Sequence, residues 1–109
     1  MNIKRDRIND FSVLHIDGRI DTLNSTTLET ELDQLRSSGK AKIIINCNDL
    51  KYISSSGLRV FLNAQKKALT SQGQLSLCNM QPAIREIFDI SGFSSIFSIF
   101  NSLEEALDH

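Results

Sequence analysis

Three consecutive serines, Ser54, Ser55 and Ser56, place three hydroxyls between an apolar, strand-like run and an amphipathic helical pattern. A hydroxyl at such a junction can act as a nucleophile, cap a helix or accept a phosphoryl group. The nucleophilic reading fails on its partners. A nucleophile elbow is built on G-x-S-x-G, and residue 53, two before Ser55, is Ile. The histidines are His15, alternating inside a strand pattern, and His109, at the last position, so neither stands as the base of a triad. Neither G-x-x-x-x-G-K nor G-x-G-x-x-G occurs, which removes the common phosphate-cradling loops. Cys47, Cys78 and the two histidines are scattered without metal-ligand spacing. Asp21 and Asp49 follow strand-like runs as single carboxylates among turn residues, a weak basis for Mg²⁺. No catalytic residue, metal or cofactor is expected of this chain.

Capping and modification remain. A serine before a helix accepts a hydrogen bond from a free N–H of the first turn, and one side chain suffices. Three exceed that need. A phosphate on such a serine adds about −1.5 to −2 charges where the helix dipole and free N–H groups favour an anion. The fold would tolerate that charge, whereas a partner surface packed over the same spot would not. That asymmetry suits a switch.

The chain around these serines has ordinary globular composition. Its 109 residues are 40% hydrophobic and 23% charged, with a formal net charge of −1. We read residues 1–109 as one domain. With no basic excess, neither nucleic acid nor an anionic membrane is a default partner. The apolar runs, such as Ile43–Ile45, fall far below the roughly 20 residues that span a bilayer, and "MNIKRDRIND" lacks the apolar segment of a secretory signal. Cys47 and Cys78 each close a strand-like run and read as reduced, semi-buried thiols of a cytoplasmic protein, ahead of the alternative of a disulfide. A monomer or a weak dimer is expected, and a net charge near zero neither requires nor excludes the dimer.

The elements that position the serines are legible from periodicity. Segments 1–8 and 11–17, joined by Asn9-Asp10, predict a β-hairpin, with Leu14 and Ile16 on one face and Phe11, Val13 and His15 on the other; Gly18 ends the second strand. Leu28, Leu32 and Leu35 predict a helix from about Thr26 to Ser37, opened by a Thr26/Glu29 capping box and closed by Gly39. "KIIINC" predicts a short buried strand. After the serines, Leu58, Phe61, Leu62 and Leu69 form a helical stripe with Lys66 and Lys67 outward, and Gly73 stops it. "QLSLC" is a strand, Pro82 opens a helix whose apolar face is Ile84, Ile87 and Phe88, and Gly92 ends it. A strand over Ile96–Ile99 and a short helix capped by Ser102 and Glu105 complete the chain. The order ββαβαβαβα predicts an α/β domain with a mixed, mostly parallel sheet, an N-terminal hairpin and about four helices. Ile43–Ile45, Leu58, Phe61, Leu62, Ile84, Ile87 and Phe88 are the expected core, with the 54–57 loop exposed.

Three stretches, in order, resemble one family. "DLKYISSSGLRVFL" (49–62) is similar to the signature of STAS domains, specifically of bacterial anti-sigma factor antagonists. "GRIDTLNSTTLETEL" (18–32) is similar to the family's G-x-[IL]-D segment before its first helix, and "MQPAIREIFDISGFSSIF" (80–97) to its third-helix segment. The resemblance implies phosphorylation on Ser55, ahead of Ser54 and Ser56, and a partner-binding patch of Asp21, Ser54, Ser55, Ser56, Gly57 and Leu58. The residue before the phosphorylated serine is often Asp in the family and is Ser54 here. Partner switching is the implied function. The unmodified protein would bind an anti-sigma factor serine kinase, which holds the ATP, and be released when Ser55 is phosphorylated. A PP2C-type phosphatase would restore binding. The alternative within the same fold is a non-switching STAS subunit of a transporter or another multiprotein complex.

Overall fold

The computed structural model describes residues 1–109. Strands β1 (Asn2–Ile8) and β2 (Phe11–Ile20) form the expected antiparallel hairpin, with Ile8 opposite Phe11. Asn9 turns the chain at a positive φ of 55°, which asparagine adopts more readily than most residues. Helix α1 (Ser25–Ser37), β3 (Lys42–Ile53), α2 (Ser55–Thr70), β4 (Gln74–Cys78), α3 (Pro82–Ile90), a 3₁₀ turn (Phe93–Ser95), β5 (Ser98–Phe100) and α4 (Leu103–Asp108) follow.

The five strands lie in sequence order, β1-β2-β3-β4-β5, antiparallel at the hairpin and parallel across the rest. Crossovers of one hand between successive neighbours put their helices on one face. Accordingly α1, α2 and α3 share a core with Leu14, Ile16, Ile43, Ile45, Leu75 and Leu77. On the opposite face Ala106 of α4 covers a smaller cluster of Phe11, Val13, Ile44 and Cys78. Burial on both faces is why Ile43, Ile44 and Ile45 are consecutive and all apolar. Phe61, Phe88 and Phe97 meet edge-on or tilted, with centroids 5.7–6.5 Å apart, and close the core beneath α2 and α3.

Several boundaries differ from the sequence expectations. Strand β3 does not end at Cys47; it runs on to Ile53, paired with Asp17–Ile20 of β2. Gly18 is not a terminus either. Its φ of 100° absorbs a register shift and β2 continues to Ile20. Helix α1 starts at Ser25, so Thr26 sits inside its first turn and forms no capping box; the Asn24 carbonyl receives the N–H groups of Thr27 and Leu28. In α2 the buried stripe is Gly57, Val60, Phe61, Ala64, Gln65 and Ala68, leaving Leu58 and Leu62 half-buried and Leu69 74% exposed. Small residues let the helix lie close to the sheet, and the leucines flank that contact. Ile87 likewise packs at the core's edge. After α2, Gln72 takes the left-handed conformation, while Gly73 is needed for space, since a Cβ there would stand 2.9 Å from the Ala41 carbonyl oxygen. The last strand is Ser98–Phe100, because Ile96 still belongs to the preceding turn and donates to the Phe93 carbonyl.

Candidate functional site

Ile20 and Ile53 are register partners at the carboxyl ends of β2 and β3, and the chain leaves both strands there side by side. The amide of Ser54 donates to the Ile20 carbonyl at 2.9 Å, one step past the last pair. Ser54 has an extended backbone (φ −82°, ψ 171°) and acts as the N-cap of α2: its Oγ accepts from the Gly57 N–H at 3.1 Å. Its carbonyl accepts from Leu58 N at 2.9 Å. The cap is thus assigned to Ser54.

Ser55 is the first residue of α2, is exposed, and its hydroxyl makes no hydrogen bond within the chain. Ser56 is half-buried. The expectation of an exposed 54–57 loop is corrected here. These residues are a cap and a first helical turn, Ser54 is only 9% exposed, and Gly57 is buried. The helix start is pressed onto the strand ends, where a Cβ on Gly57 would meet Ile20 Cγ2 at 2.7 Å and Ile53 Cγ1 at 2.8 Å. Leu58 packs half-buried against the same core. No acidic side chain occupies the first turn of α2, so its N-terminal dipole is not offset by a neighbouring carboxylate.

Asp21 follows Ile20 directly and is half-buried. Its Oδ1 accepts from the amides of Leu23 and Asn24, both at 3.0 Å, and its own amide donates to Asn24 Oδ1 at 2.8 Å. Asn24 Nδ2 in turn donates to the Arg19 carbonyl at 2.9 Å. This closed set of bonds builds the turn and holds Leu23 outward, 91% exposed. Sequence reading singled out the carboxylate and missed the leucine. The available signal was an apolar residue within the polar turn D-T-L-N-S. Behind the two loops, the Arg19 guanidinium lies over the Tyr52 ring, 4.3 Å from its centroid.

The remaining reactive groups lie apart from this end. His15 Nε2 is 2.8 Å from Asp6 Oδ2 and its Nδ1 is 2.9 Å from Asn46 Nδ2, so the ring is held across the sheet with no bond to Ser55. The His109 ring lies tilted against Phe100, 5.0 Å between centroids. Asp49 accepts from Asn48 Nδ2 at 3.1 Å, and neither it nor Asp21 joins a group of metal-ligating side chains. Cys47 and Cys78 are free thiols belonging to the two opposite core clusters. Burial pushes the Cys47 thiol far up, with Cys78 adding to it, and pushes Cys78 up to about 11, so both are unreactive. None of the five surface clefts is lined by residues 54–58, by Asp21 or by Leu23. The site is an open surface, fit for a protein partner more than for a small molecule.

This architecture, with a serine-capped helix at the carboxyl ends of two parallel strands, defines a STAS-type domain. The STAS domain family matches residues 2–106, and the chain belongs to it. Among curated relatives, BtrV of Bordetella bronchiseptica, provisionally named an anti-sigma factor antagonist, is 39% identical over 106 residues, covering 97% of this chain and 91% of BtrV. The anti-sigma-B factor antagonist of Bacillus subtilis is 34% identical over 91 residues, 84% of this chain and 82% of that protein. Among solved structures, the Thermotoga maritima protein TM1081 superposes with a TM-score of 0.92 at 20% identity, covering 97% of this chain and 92% of its own. Phosphorylated SpoIIAA of Bacillus gives 0.77 at 22% identity, covering 98% and 97%. These two likenesses speak to fold. No helix is long and apolar enough to cross a membrane.

Proposed function

We propose that the chain is an anti-sigma factor antagonist of the cytoplasm that works by partner switching at Ser55. Its unmodified form binds an anti-sigma factor of the serine-kinase class through the surface formed by Asp21, Leu23 and residues 54–58. Asp21 acts there by shaping the turn that presents Leu23. The kinase transfers the γ-phosphoryl group of its ATP to Ser55 Oγ, whose proton is lost, leaving ADP and a phosphoserine. A PP2C-type phosphatase reverses this by hydrolysis, returning the hydroxyl and releasing inorganic phosphate.

One observation carries the reading: of the three serine hydroxyls, that of Ser55 is exposed and unbonded while Ser54 supplies the cap. Phosphorylation therefore costs the fold no hydrogen bond. It places a dianion at a helix N-terminus, which the helix tolerates and an apolar or acidic partner face does not. The names of the antagonist relatives support the same assignment. Mass spectrometry of the native protein tests it. A phosphate on Ser55 is expected, and its absence under conditions that activate the cognate kinase would contradict the switch.

A further inference from the structure

Helix α2, Ser55–Thr70, contains Arg59, Lys66 and Lys67 and no Asp or Glu. Of these, Lys67 is paired with Asp33 at 3.1 Å. Arg59 is exposed and belongs to none of the chain's ion pairs, which use Arg5, His15, Arg36, Lys67 and Arg85 as cations. It makes no side-chain hydrogen bond, and its neighbours one turn away on α2 are Ser55, Ser56, Leu62 and Asn63. Residues four apart on a helix have Cβ atoms about 5–6 Å from each other, within reach of a flexible guanidinium. Arg59 is the first cation along α2 and stands one turn beyond Ser55.

We propose that Arg59, bordering the docking face, is the counter-ion for a phosphate on Ser55, and that forming this pair takes its charge out of a partner's reach when the phosphate arrives. The proposal rests on the reading of Ser55 as the modified residue and adds how the switch changes charge. Before modification the first turns of α2 present one unpaired cation, free to meet an acidic group of the partner. Afterwards the phosphate, at about −1.5 to −2, outweighs it and the local sign reverses. The planar guanidinium fork matches two phosphate oxygens bidentately, where a lysine acts as a point charge. Ser54 has no cation at either helical spacing, and Ser56, which is half-buried, has Arg59 only at the i+3 position.

The test uses the full chain with phosphoserine installed at position 55 during synthesis, so that no kinase is required. The second ionisation of the phosphate is followed by ³¹P NMR in the native sequence, Arg59→Gln and Arg59→Lys. A neighbouring cation favours the dianion, so the native sequence should titrate at lower pH than Arg59→Gln by about 0.3 unit or more. Arg59→Lys should fall between them, and the difference should shrink at about 1 M salt. Unmodified Arg59→Gln should melt as the native protein does, because the side chain is exposed. Equal midpoints in the native sequence and Arg59→Gln would overturn the pairing while leaving the functional reading intact. That reading falls separately, if the native chain is never phosphorylated on Ser55.

Discussion

Gly57 and Ile20 stand so close that any side chain at 57 collides with the strand: a Cβ would lie 2.7 Å from Ile20 Cγ2. Ile53 Cγ1 blocks the other side at 2.8 Å, and both isoleucines are buried and branched. Gly57→Ala should therefore destabilise the domain despite the helix propensity it adds. Overpacking costs about 1–3 kcal/mol and the propensity gain offsets about 1 kcal/mol, so a net loss of up to about 2 kcal/mol is expected in urea denaturation. A gain in stability would show that the helix start can move away from the strand.

Ser54 and Ser55 should separate cleanly under mutation. Ser54→Ala removes the cap bond to Gly57 N and should cost about 0.5–2 kcal/mol. Ser55→Ala removes an exposed, unbonded hydroxyl and should change stability by less than about 0.5 kcal/mol. Thermal melts of the two variants decide the assignment. If the larger loss falls on Ser55, the cap has been placed on the wrong serine.

The turn at Asp21 yields a binding prediction. Asp21→Ala loses two amide partners, while Asp21→Asn keeps an Oδ1 able to accept both. Affinity for the anti-sigma partner should fall in the first and survive in the second. Leu23→Ala should weaken binding by about 1 kcal/mol or more at unchanged stability, the mark of a contact residue. Binding that is lost in Asp21→Asn but kept in Leu23→Ala would instead make the carboxylate charge the contact.

The cysteines set a pH limit on stability. Their folded values are raised above the 9.0 of an exposed thiol, to about 11 for Cys78 and further for Cys47. A raised value means that the folded state holds its proton after the unfolded state has released one. Stability from this source is full below pH 9.0 and is lost as pH rises through about 11. Denaturation midpoints should decline across that window, and less steeply in Cys78→Ala. Both thiols should resist iodoacetamide at pH 8 until the chain is unfolded.

The hairpin, the helix-strand alternation and the place of the serines were legible because each rests on local pattern: two turn residues, a leucine spacing, a polar cluster after an apolar run. What stayed hidden depends on neighbours. Asn48–Tyr52 is mostly polar and turn-like, yet it is strand because Asp17–Ile20 continues beside it, with only Leu50 of the five buried. Ala64 and Ala68 look too small for a core, yet they are buried because the sheet comes close; Leu69, larger and more apolar, is left outside. Among the serines, only the bond from Gly57 separates Ser54 the cap from Ser55 the free hydroxyl. No spacing rule distinguishes three identical residues in a row.

The central claim is that charge at Ser55 breaks a protein contact without breaking the fold. It is tested most directly by calorimetric titration of the cognate anti-sigma kinase with four forms: unmodified, Ser55-phosphorylated, Ser55→Ala and Ser55→Asp. The unmodified chain should bind, and Ser55→Ala should bind alongside it. Phosphorylation should weaken affinity at least about tenfold, or 1.4 kcal/mol, with Ser55→Asp weakened in the same direction. Melting temperature should hold or rise, since an anion at the start of α2 gains about 0.3–1 kcal/mol from the dipole. Equal affinity of the phosphorylated and unmodified chains would contradict the account and leave a constitutive STAS scaffold.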